Sequence, residues 1–132
     1  MPSPIETVER FVALINAHDV DGIAALIAAD HRFVDSLGDA VAGREVLRAG
    51  WRQYFRMVPD YRIEVERVLA DGPCVLLVGL ACGTYSTDGT LEPGNAWSTP
   101  AALRALVRDG LIAEWQVYAD NEPLRRRMAA AT

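Results

Sequence analysis

The sequence predicts an α+β domain in which three N-terminal helices cover one face of an antiparallel sheet. Apolar residues recur at intervals of three and four through residues 4–58, which is the helical period. From residue 61 onward they alternate or run continuously, and turn sequences separate the runs, which is typical of strands. Helices followed by strands indicate the α+β class. With 132 residues, 51% of them hydrophobic, the chain is expected to form a single domain, 1–132.

The first two predicted helices carry capping signals at their N-termini. Ser3 can cap the first helix, Pro4 suits its first position, and Glu6 completes a capping box. This helix is expected to end near His18, and Asp19 can cap a shorter second helix. Both are amphipathic, with apolar stripes at Val8, Phe11, Val12 and Ile15, and at Ile23, Leu26 and Ile27.

A short strand, 31–35, and a third helix follow. His31 and Asp35 have the same parity, so both side chains leave one face of the strand. They would lie about 13 Å apart in an extended chain, which is too far for a direct hydrogen bond. Gly43 opens the third helix and Pro59 ends it. One face of this helix carries Leu47, Trp51, Tyr54, Phe55 and Val58, whereas its arginines recur every four residues, as on a solvated face.

Four strands joined by turns are predicted in the second half of the chain. Asp109-Gly110 is a strong hairpin signal. Pro100 has no N–H to donate to a sheet, so it predicts a bulge or an edge. The predicted strands are 61–66, 74–82, 96–108 and 111–120, and a helical tail follows Asn121-Glu122-Pro123.

The predicted strand 74–82 is apolar on both faces, whereas three helices can cover only one face of the sheet. A second copy of the chain is the simplest cover for the other face. We therefore predict a homodimer through the outer sheet face. Cys74 and Cys82 would lie too far apart along this strand for a disulfide and are predicted to be small buried hydrophobes.

Composition excludes several classes of function. The net charge is −5, and a nucleic acid or an anionic membrane is not expected as a partner because no basic patch occurs. All 13 basic residues are arginines, which excludes Schiff-base chemistry on lysine. No apolar run approaches the about 20 residues of a membrane span, and the N-terminus is unlike a signal peptide, so a cytoplasmic protein is expected. Metal-ligand clusters and phosphate loops do not occur, and no cofactor is predicted.

Four polar residues could take part in catalysis, and one of them, Asp60, is interpreted as a turn residue after Pro59. The other three are the candidates for catalysis. Asp35, at a strand end, is either solvated or directed into a cavity. Asp120 follows aromatic strand residues and either enters a cavity or caps the helical tail. By the alternation of side chains along a β-strand, Asp120 shares a face with Tyr118, and Trp115 lies on the opposite face. His31 lies at a helix-to-strand junction, where a histidine is more often a local hydrogen-bonding residue than a catalytic group. Both interpretations of His31 stay open.

Aromatic side chains predict a pocket for a hydrophobic, ring-shaped ligand. Residues of this kind more often form core or pocket wall than take part in chemistry. The candidate ligand-binding residues are Phe11, Trp51, Tyr54, Phe55, Trp97 and Tyr118.

The run Phe11–Asp35 resembles the opening of the nuclear transport factor 2-like superfamily, which includes ketosteroid isomerases and the SnoaL-like polyketide cyclases. The ending Trp115–Asp120 resembles the last strand of the SnoaL-like branch. The resemblance spans nearly the whole chain. It implies a cone-shaped α+β barrel, with three N-terminal helices packed in a curved sheet that is mixed but mainly antiparallel and encloses one deep pocket.

The resemblance also implies roles for individual residues. Asp35 falls at the general-base position of ketosteroid isomerases. The tyrosine of their oxyanion hole falls at Phe11, and their second oxyanion acid falls near Ala102, so both donors are missing. Asp120 falls at the position of the acid that serves as base in SnoaL-like cyclases. The related limonene epoxide hydrolases use an Asp-Arg-Asp set, and the preceding strand has no Arg-x-Asp.

Together these observations predict a cofactor-independent isomerase or aldol-type cyclase that abstracts a proton next to a carbonyl of a small hydrophobic substrate. Asp35 or Asp120 would be the base, and His31 a polar partner or proton carrier. The alternative is a non-catalytic small-ligand-binding or dimerisation module on the same fold, since both oxyanion donors are missing.

Overall fold

The computed structural model describes residues 2–131 and contains four α-helices and six β-strands. The helices are α1 (Pro4–Asn16), α2 (Val20–Leu26), α3 (Arg44–Met57) and α4 (Glu122–Ala130). The strands are β1 (Ile27–Val34), β2 (Ala40–Ala42), β3 (Arg62–Asp71), β4 (Cys74–Thr84), β5 (Ala96–Arg108) and β6 (Leu111–Ala119). The predicted α+β class is confirmed.

All six strands belong to one sheet, in the order β2-β1-β6-β5-β4-β3. β1 and β6 run parallel, with Phe33 opposite Trp115, and every other pair is antiparallel. The sheet is therefore mixed but mainly antiparallel, as the family resemblance implies. It is not closed, because β2 and β3 remain as its edges.

The predicted helix starts are confirmed. The Ser3 hydroxyl accepts from the Glu6 amide at 3.1 Å, and the Glu6 carboxylate accepts from the Ser3 amide at 3.2 Å. The Asp19 carboxylate accepts from the Gly22 amide at 2.9 Å at the start of α2. These contacts are local in sequence, so the sequence was sufficient to predict them.

Three strands differ from the expectation. β3 continues to Asp71, well beyond the predicted end at residue 66. β1 begins at Ile27 rather than at residue 31, so Ile27 belongs to the sheet and not to the apolar stripe of α2. β2 was not predicted. It has three exposed residues and is held by pairing with β1, for example Phe33 with Val41, which is a tertiary contact with no periodic signal of its own.

Pro100 lies inside β5, and the strand pairs with β4 without a bulge there, since Pro100 faces Leu80 in register. Of the two alternatives predicted for Pro100, a bulge or an edge, the structure has the edge, on the side of β5 away from β4. Pairing with β6 begins only at Ala101, opposite Ala119. The proline therefore stands where one side of β5 has no neighbouring strand.

The core lies between the helices and one face of the sheet, which we call the inner face. Phe11 of α1 is fully buried and meets Trp115 of β6 edge-on, with ring centroids 4.9 Å apart. Burial of such a side chain contributes roughly 1.5–3 kcal/mol. Leu77 and Leu103 are buried on the same face of β4 and β5. None of the described helices is long and apolar enough to cross a membrane.

Candidate functional site

A cavity of about 400 Å³ lies between α3 and the inner face of the sheet. Its size falls within the range of small-molecule sites, which is roughly 300–1,000 Å³. The wall is mostly apolar. The lining residues are Phe33, Asp35, Ser36, Val41, Val46, Leu47, Gly50, Trp51, Tyr54, Tyr61, Ala81, Trp97, Ala101, Leu103, Trp115, Val117, Ala119 and Asn121.

Five of these side chains form a continuous row of aromatic rings. Phe33 meets Trp51 with ring centroids 6.4 Å apart, and Trp51 meets Tyr54 at 6.4 Å. Tyr54 meets Tyr61 edge-on at 5.0 Å, and Tyr61 meets Trp97 at 6.2 Å. Contacts of this kind hold each ring in a defined orientation. The row therefore offers a preformed wall to a flat, hydrophobic ligand.

The elements of the fold explain how these rings come together. Trp51 and Tyr54 are three residues apart in α3 and so project from one face of the helix. Trp97 and Ala101 share parity on β5 and face inward. Of the predicted ligand-binding residues, the structure thus places Trp51, Tyr54 and Trp97 in the cavity wall.

Tyr61 is held by a contact that the sequence did not predict. His18 follows α1 in a left-handed conformation, with φ of 55°, and its Nε2 donates to the Tyr61 carbonyl oxygen at 2.7 Å. The His18 ring also stacks on Phe55, with centroids 4.0 Å apart. Tyr61 was not among the predicted site residues, although its alternation with Ile63 indicates that its side chain points inward.

Both cavity tyrosines are neutral phenols. Burial raises the pKa of Tyr54 and of Tyr61 far above the ordinary tyrosine value, because a phenolate loses hydration there. Neither hydroxyl is hydrogen-bonded to any other group within residues 2–131. The cavity thus contains two hydroxyl groups without protein partners.

Besides the two tyrosine hydroxyls, polar side chains of the cavity wall come from Asp35, Ser36 and Asn121. Oδ1 of Asp35 accepts from the amides of Leu37 and Asp39, at 2.9 and 3.0 Å. Its Oδ2 accepts no hydrogen bond from the described part of the chain. Asn121 Nδ2 donates to the Ser36 hydroxyl at 2.9 Å. One carboxylate is therefore oriented by the backbone at the cavity, with one oxygen left for a ligand.

Asp120 lies outside the cavity. Its side chain is 73% exposed, and its Oδ1 accepts from the Glu122 amide at 2.9 Å and lies 3.7 Å from Arg125. Asp120 therefore does not enter the cavity, and it bonds the first amide of α4 from the position before the N-cap residue, Asn121. The predicted parity of β6 is correct, but it is the Trp115 face that lines the cavity. Tyr118, on the face of Asp120, is 49% exposed and does not line the cavity.

His31 is 0% exposed and does not line the cavity. Its Nδ1 donates to the Ile112 carbonyl oxygen at 2.8 Å, and its Nε2 has no partner among the described residues. Burial lowers the pKa of His31 because the imidazolium would lose hydration. His31 and Asp35 thus bond to different groups and not to each other, as the strand spacing predicts.

The remaining two predicted ligand-binding residues lie in the core beside the cavity. Phe11 packs on Trp115, and Phe55 packs between Trp51, at 5.5 Å between centroids, and His18. They are absent from the cavity wall. Phe11 and Phe55 support aromatic rings that do reach the cavity. Apolar periodicity could not distinguish such supporting residues from residues that line the cavity.

Chemically, the site combines one oriented carboxylate and two neutral phenols with an apolar, ring-lined cavity. A carboxylate can take a proton from carbon, and phenols can donate hydrogen bonds to an oxygen that gains charge. Among the described residues, no group of three or more His, Cys, Asp or Glu side chains is placed to hold a metal ion.

Solved structures with the same fold carry several functional names. A hypothetical protein of ketosteroid isomerase-like fold from Catenulispora acidiphila, in complex with trimethylamine, is 19% identical, with a TM-score of 0.79 over 94% of this chain and 92% of that one. A protein from Jannaschia sp. named for the SnoaL-like polyketide cyclases is 20% identical, with a TM-score of 0.82 over 96% and 92%. AclR from Streptomyces galilaeus, named for a hydroxylase, is 19% identical, with a TM-score of 0.76 over 96% of each chain. At these identities the likeness establishes the fold alone.

No curated protein matches the sequence. The model of the SnoaL-like domain family matches residues 8–115, which includes most of α1 and all of the sheet except the end of β6. Because this match spans most of the chain, the protein belongs to the SnoaL-like domain family.

Proposed function

We propose that this protein is a cofactor-independent isomerase or aldol-type cyclase in which Asp35 abstracts a proton next to a carbonyl of a small hydrophobic substrate. The observation that carries the proposal is the position of Asp35 in the wall of the aromatic cavity, with Oδ1 occupied by two backbone amides and Oδ2 open. The exposure of Asp120 and the burial of His31 favour Asp35 as the base over either of them.

The proposed step needs only a base and hydrogen-bond donors. Oδ2 of Asp35 takes the proton, and the electrons of the C–H bond move onto the carbonyl oxygen to form an enolate. For isomerisation, the resulting carboxylic acid returns the proton to another carbon. For aldol-type cyclisation, the enolate carbon attacks a second carbonyl of the same substrate, and the alkoxide that forms takes the proton. The apolar wall excludes water from the enolate in both cases.

The test uses 2-tetralone, a two-ring ketone with acidic protons next to its carbonyl. Proton NMR in D₂O follows exchange of these protons, which we expect the protein to accelerate over buffer. Asp35→Asn keeps an Oδ1 acceptor for the Leu37 and Asp39 amides but cannot act as a base, so exchange should fall by about 10²-fold or more. Asp120→Asn is the matched control and should exchange at the wild-type rate. Equal rates for wild type and Asp35→Asn would refute the proposal.

The alternative, a non-catalytic ligand-binding module, is favoured by one observation. At the positions where the resemblance implies oxyanion donors, Phe11 is buried in the core and Ala102 has no donor. Such a module would bind 2-tetralone without accelerating proton exchange. Measuring the binding of 2-tetralone beside its proton exchange therefore separates the two functions.

We also propose that the protein is a homodimer through the outer face of the sheet. Arg67, Val78, Ala102 and Tyr118 form one row across β3 to β6 on this face. Leu69, on the same face of β3, is 53% exposed. Since no described helix packs on this side, a second copy related by a two-fold axis would bury Val78, Ala102 and Tyr118 of this row.

A further inference from the structure

We infer that Tyr54 and Tyr61 form a paired donor site that holds the carbonyl oxygen of the ligand. The inference extends the proposed function, because it names the groups that would stabilise the enolate. It assigns this task to α3 and to the segment before β3. The positions at which the family resemblance implies donors, Phe11 and Ala102, supply none.

The geometry brings the two phenols together. Their rings meet edge-on, with centroids 5.0 Å apart and an interplanar angle of 88°, and both line the cavity. Trp51 flanks Tyr54, and Trp97 flanks Tyr61, so the pair is the middle of the aromatic row. Two hydroxyls on neighbouring rings can converge on a single acceptor.

Both hydroxyls lack a partner in the described protein, and both residues are half-buried in the cavity wall. The few polar groups in an otherwise apolar cavity wall usually orient a ligand by hydrogen bonding to it. A carbonyl oxygen in the cavity supplies the missing acceptor for both groups. An apolar hydrocarbon of the same shape would leave them unpaired.

The surroundings keep the pair in place and in the donating form. The Tyr61 carbonyl is bound by His18 Nε2, and its amide donates to the Val58 carbonyl at 3.0 Å, so the backbone beneath this ring is fixed on both sides. Burial raises the pKa of each phenol, which keeps both protonated. Fixed, neutral donors suit an oxygen that gains negative charge, because they need no reorganisation as the charge forms.

The test compares 2-tetralone with tetralin, which has the same two rings without the carbonyl. Dissociation constants come from quenching of tryptophan fluorescence, since three tryptophans line the cavity. The wild type should bind the ketone about 10-fold more tightly than the hydrocarbon, which corresponds to about 1.4 kcal/mol. Tyr54→Phe and Tyr61→Phe should each reduce this preference to about 3-fold, and the double variant should abolish it. Tetralin should bind all variants within about 2-fold of wild type.

Tyr85→Phe and Tyr118→Phe are the matched controls, because each removes a phenol hydroxyl outside the cavity wall. Both should keep the wild-type preference. The inference is overturned if the wild type shows no preference for the ketone, or if the double variant keeps it.

The outcome is independent of proton abstraction. Asp35→Asn should lose proton exchange but keep the preference for 2-tetralone over tetralin. If the tyrosine variants keep the preference while Asp35→Asn loses exchange, the donor site is wrong and the proposed base stands. If the tyrosine variants lose the preference and Asp35→Asn exchanges normally, the donor site stands and the base is wrong.

Discussion

Asn121 Nδ2 donates to the Ser36 hydroxyl at 2.9 Å, which joins the loop after β1 to the start of α4. The two residues are 85 positions apart in the chain, and both lie in the cavity wall beside Asp35. Further along α4, Leu124 is buried in a cluster with Trp97 and Val58. This single hydrogen bond therefore links the candidate base to the helix that covers one end of the cavity.

We expect Asn121→Ala to loosen α4 without unfolding the protein. Loss of one half-buried hydrogen bond should lower the free energy of unfolding by about 1 kcal/mol. Hydrogen exchange should become several-fold faster in α4 amides and stay unchanged in β4. Ser98→Ala, which changes an exposed side chain on β5, is the control. Unchanged exchange in α4 would show that the bond does not hold the helix.

Asp35 has a structural role that can be separated from the proposed chemical one. Asp35→Ala removes the acceptor for the Leu37 and Asp39 amides and should lower the free energy of unfolding by about 1 kcal/mol, whereas Asp35→Asn should change it little. Urea denaturation of the two variants measures both values. Equal stability of Asp35→Ala and Asp35→Asn would mean that the two amide contacts contribute nothing.

Burial of neutral His31 predicts a stability that depends on pH. Its pKa is lowered in the folded state and close to 6.5 in the unfolded state, so below pH 6.5 the unfolded state binds more protons. The free energy of unfolding should therefore fall as the pH drops below about 6.5, by at most about 1.4 kcal/mol per pH unit from this group. His31→Gln should flatten this slope in urea denaturation between pH 5 and 6.5.

The interval from pH 7.5 to 8.5 provides the internal control for His31→Gln. Both states of the wild type hold this imidazole neutral there, so the difference in stability between variant and wild type should not vary with pH. If the slopes of variant and wild type are equal between pH 5 and 6.5, another group causes the acid sensitivity.

Gly79 permits a close approach of β3 to β4. A Cβ atom at this position would lie 1.9 Å from the Glu64 carbonyl oxygen, where the register of β3 shifts between Val65 and Arg67. Since the obstacle is backbone, Gly79→Ala should cost about 3 kcal/mol of stability. Gly50→Ala is a matched control for which the expected change in stability has the opposite sign. A Cβ there meets nothing within 4 Å, so the helix should gain about 1 kcal/mol. Thermal unfolding compares the two.

The proposed dimer predicts that a charge on the outer face separates the subunits. Val78→Asp places a carboxylate beside Ala102 in the middle of the outer face, so light scattering at micromolar concentration should show a dimer for wild type and a monomer for the variant. Ala49→Asp, on the exposed side of α3, should remain dimeric. A monomeric wild type would refute the dimer.

Sequence reasoning succeeded where the signal is local. The Ser3 capping box, the Asp19 cap and the Asp109-Gly110 hairpin depend on residues within four positions of each other. β2 escaped detection because its three residues are held only by pairing with β1. Likewise, Phe11 and Phe55 carry the same apolar periodicity as Trp51, and only packing separates core from cavity wall.

For the site, the sequence by itself determined which carboxylates are candidates for the base. Through strand parity it also determined that Asp120 and Tyr118 share one face of β6 and that Trp115 lies on the other. Only the tertiary structure decided which face borders the cavity, because that depends on where α1 and α3 pack. It also joined Tyr61 to Tyr54 and fixed Asp35 at the cavity wall. Alternation along a strand is a property of the local backbone, but burial of either face results from contacts between residues distant in the chain.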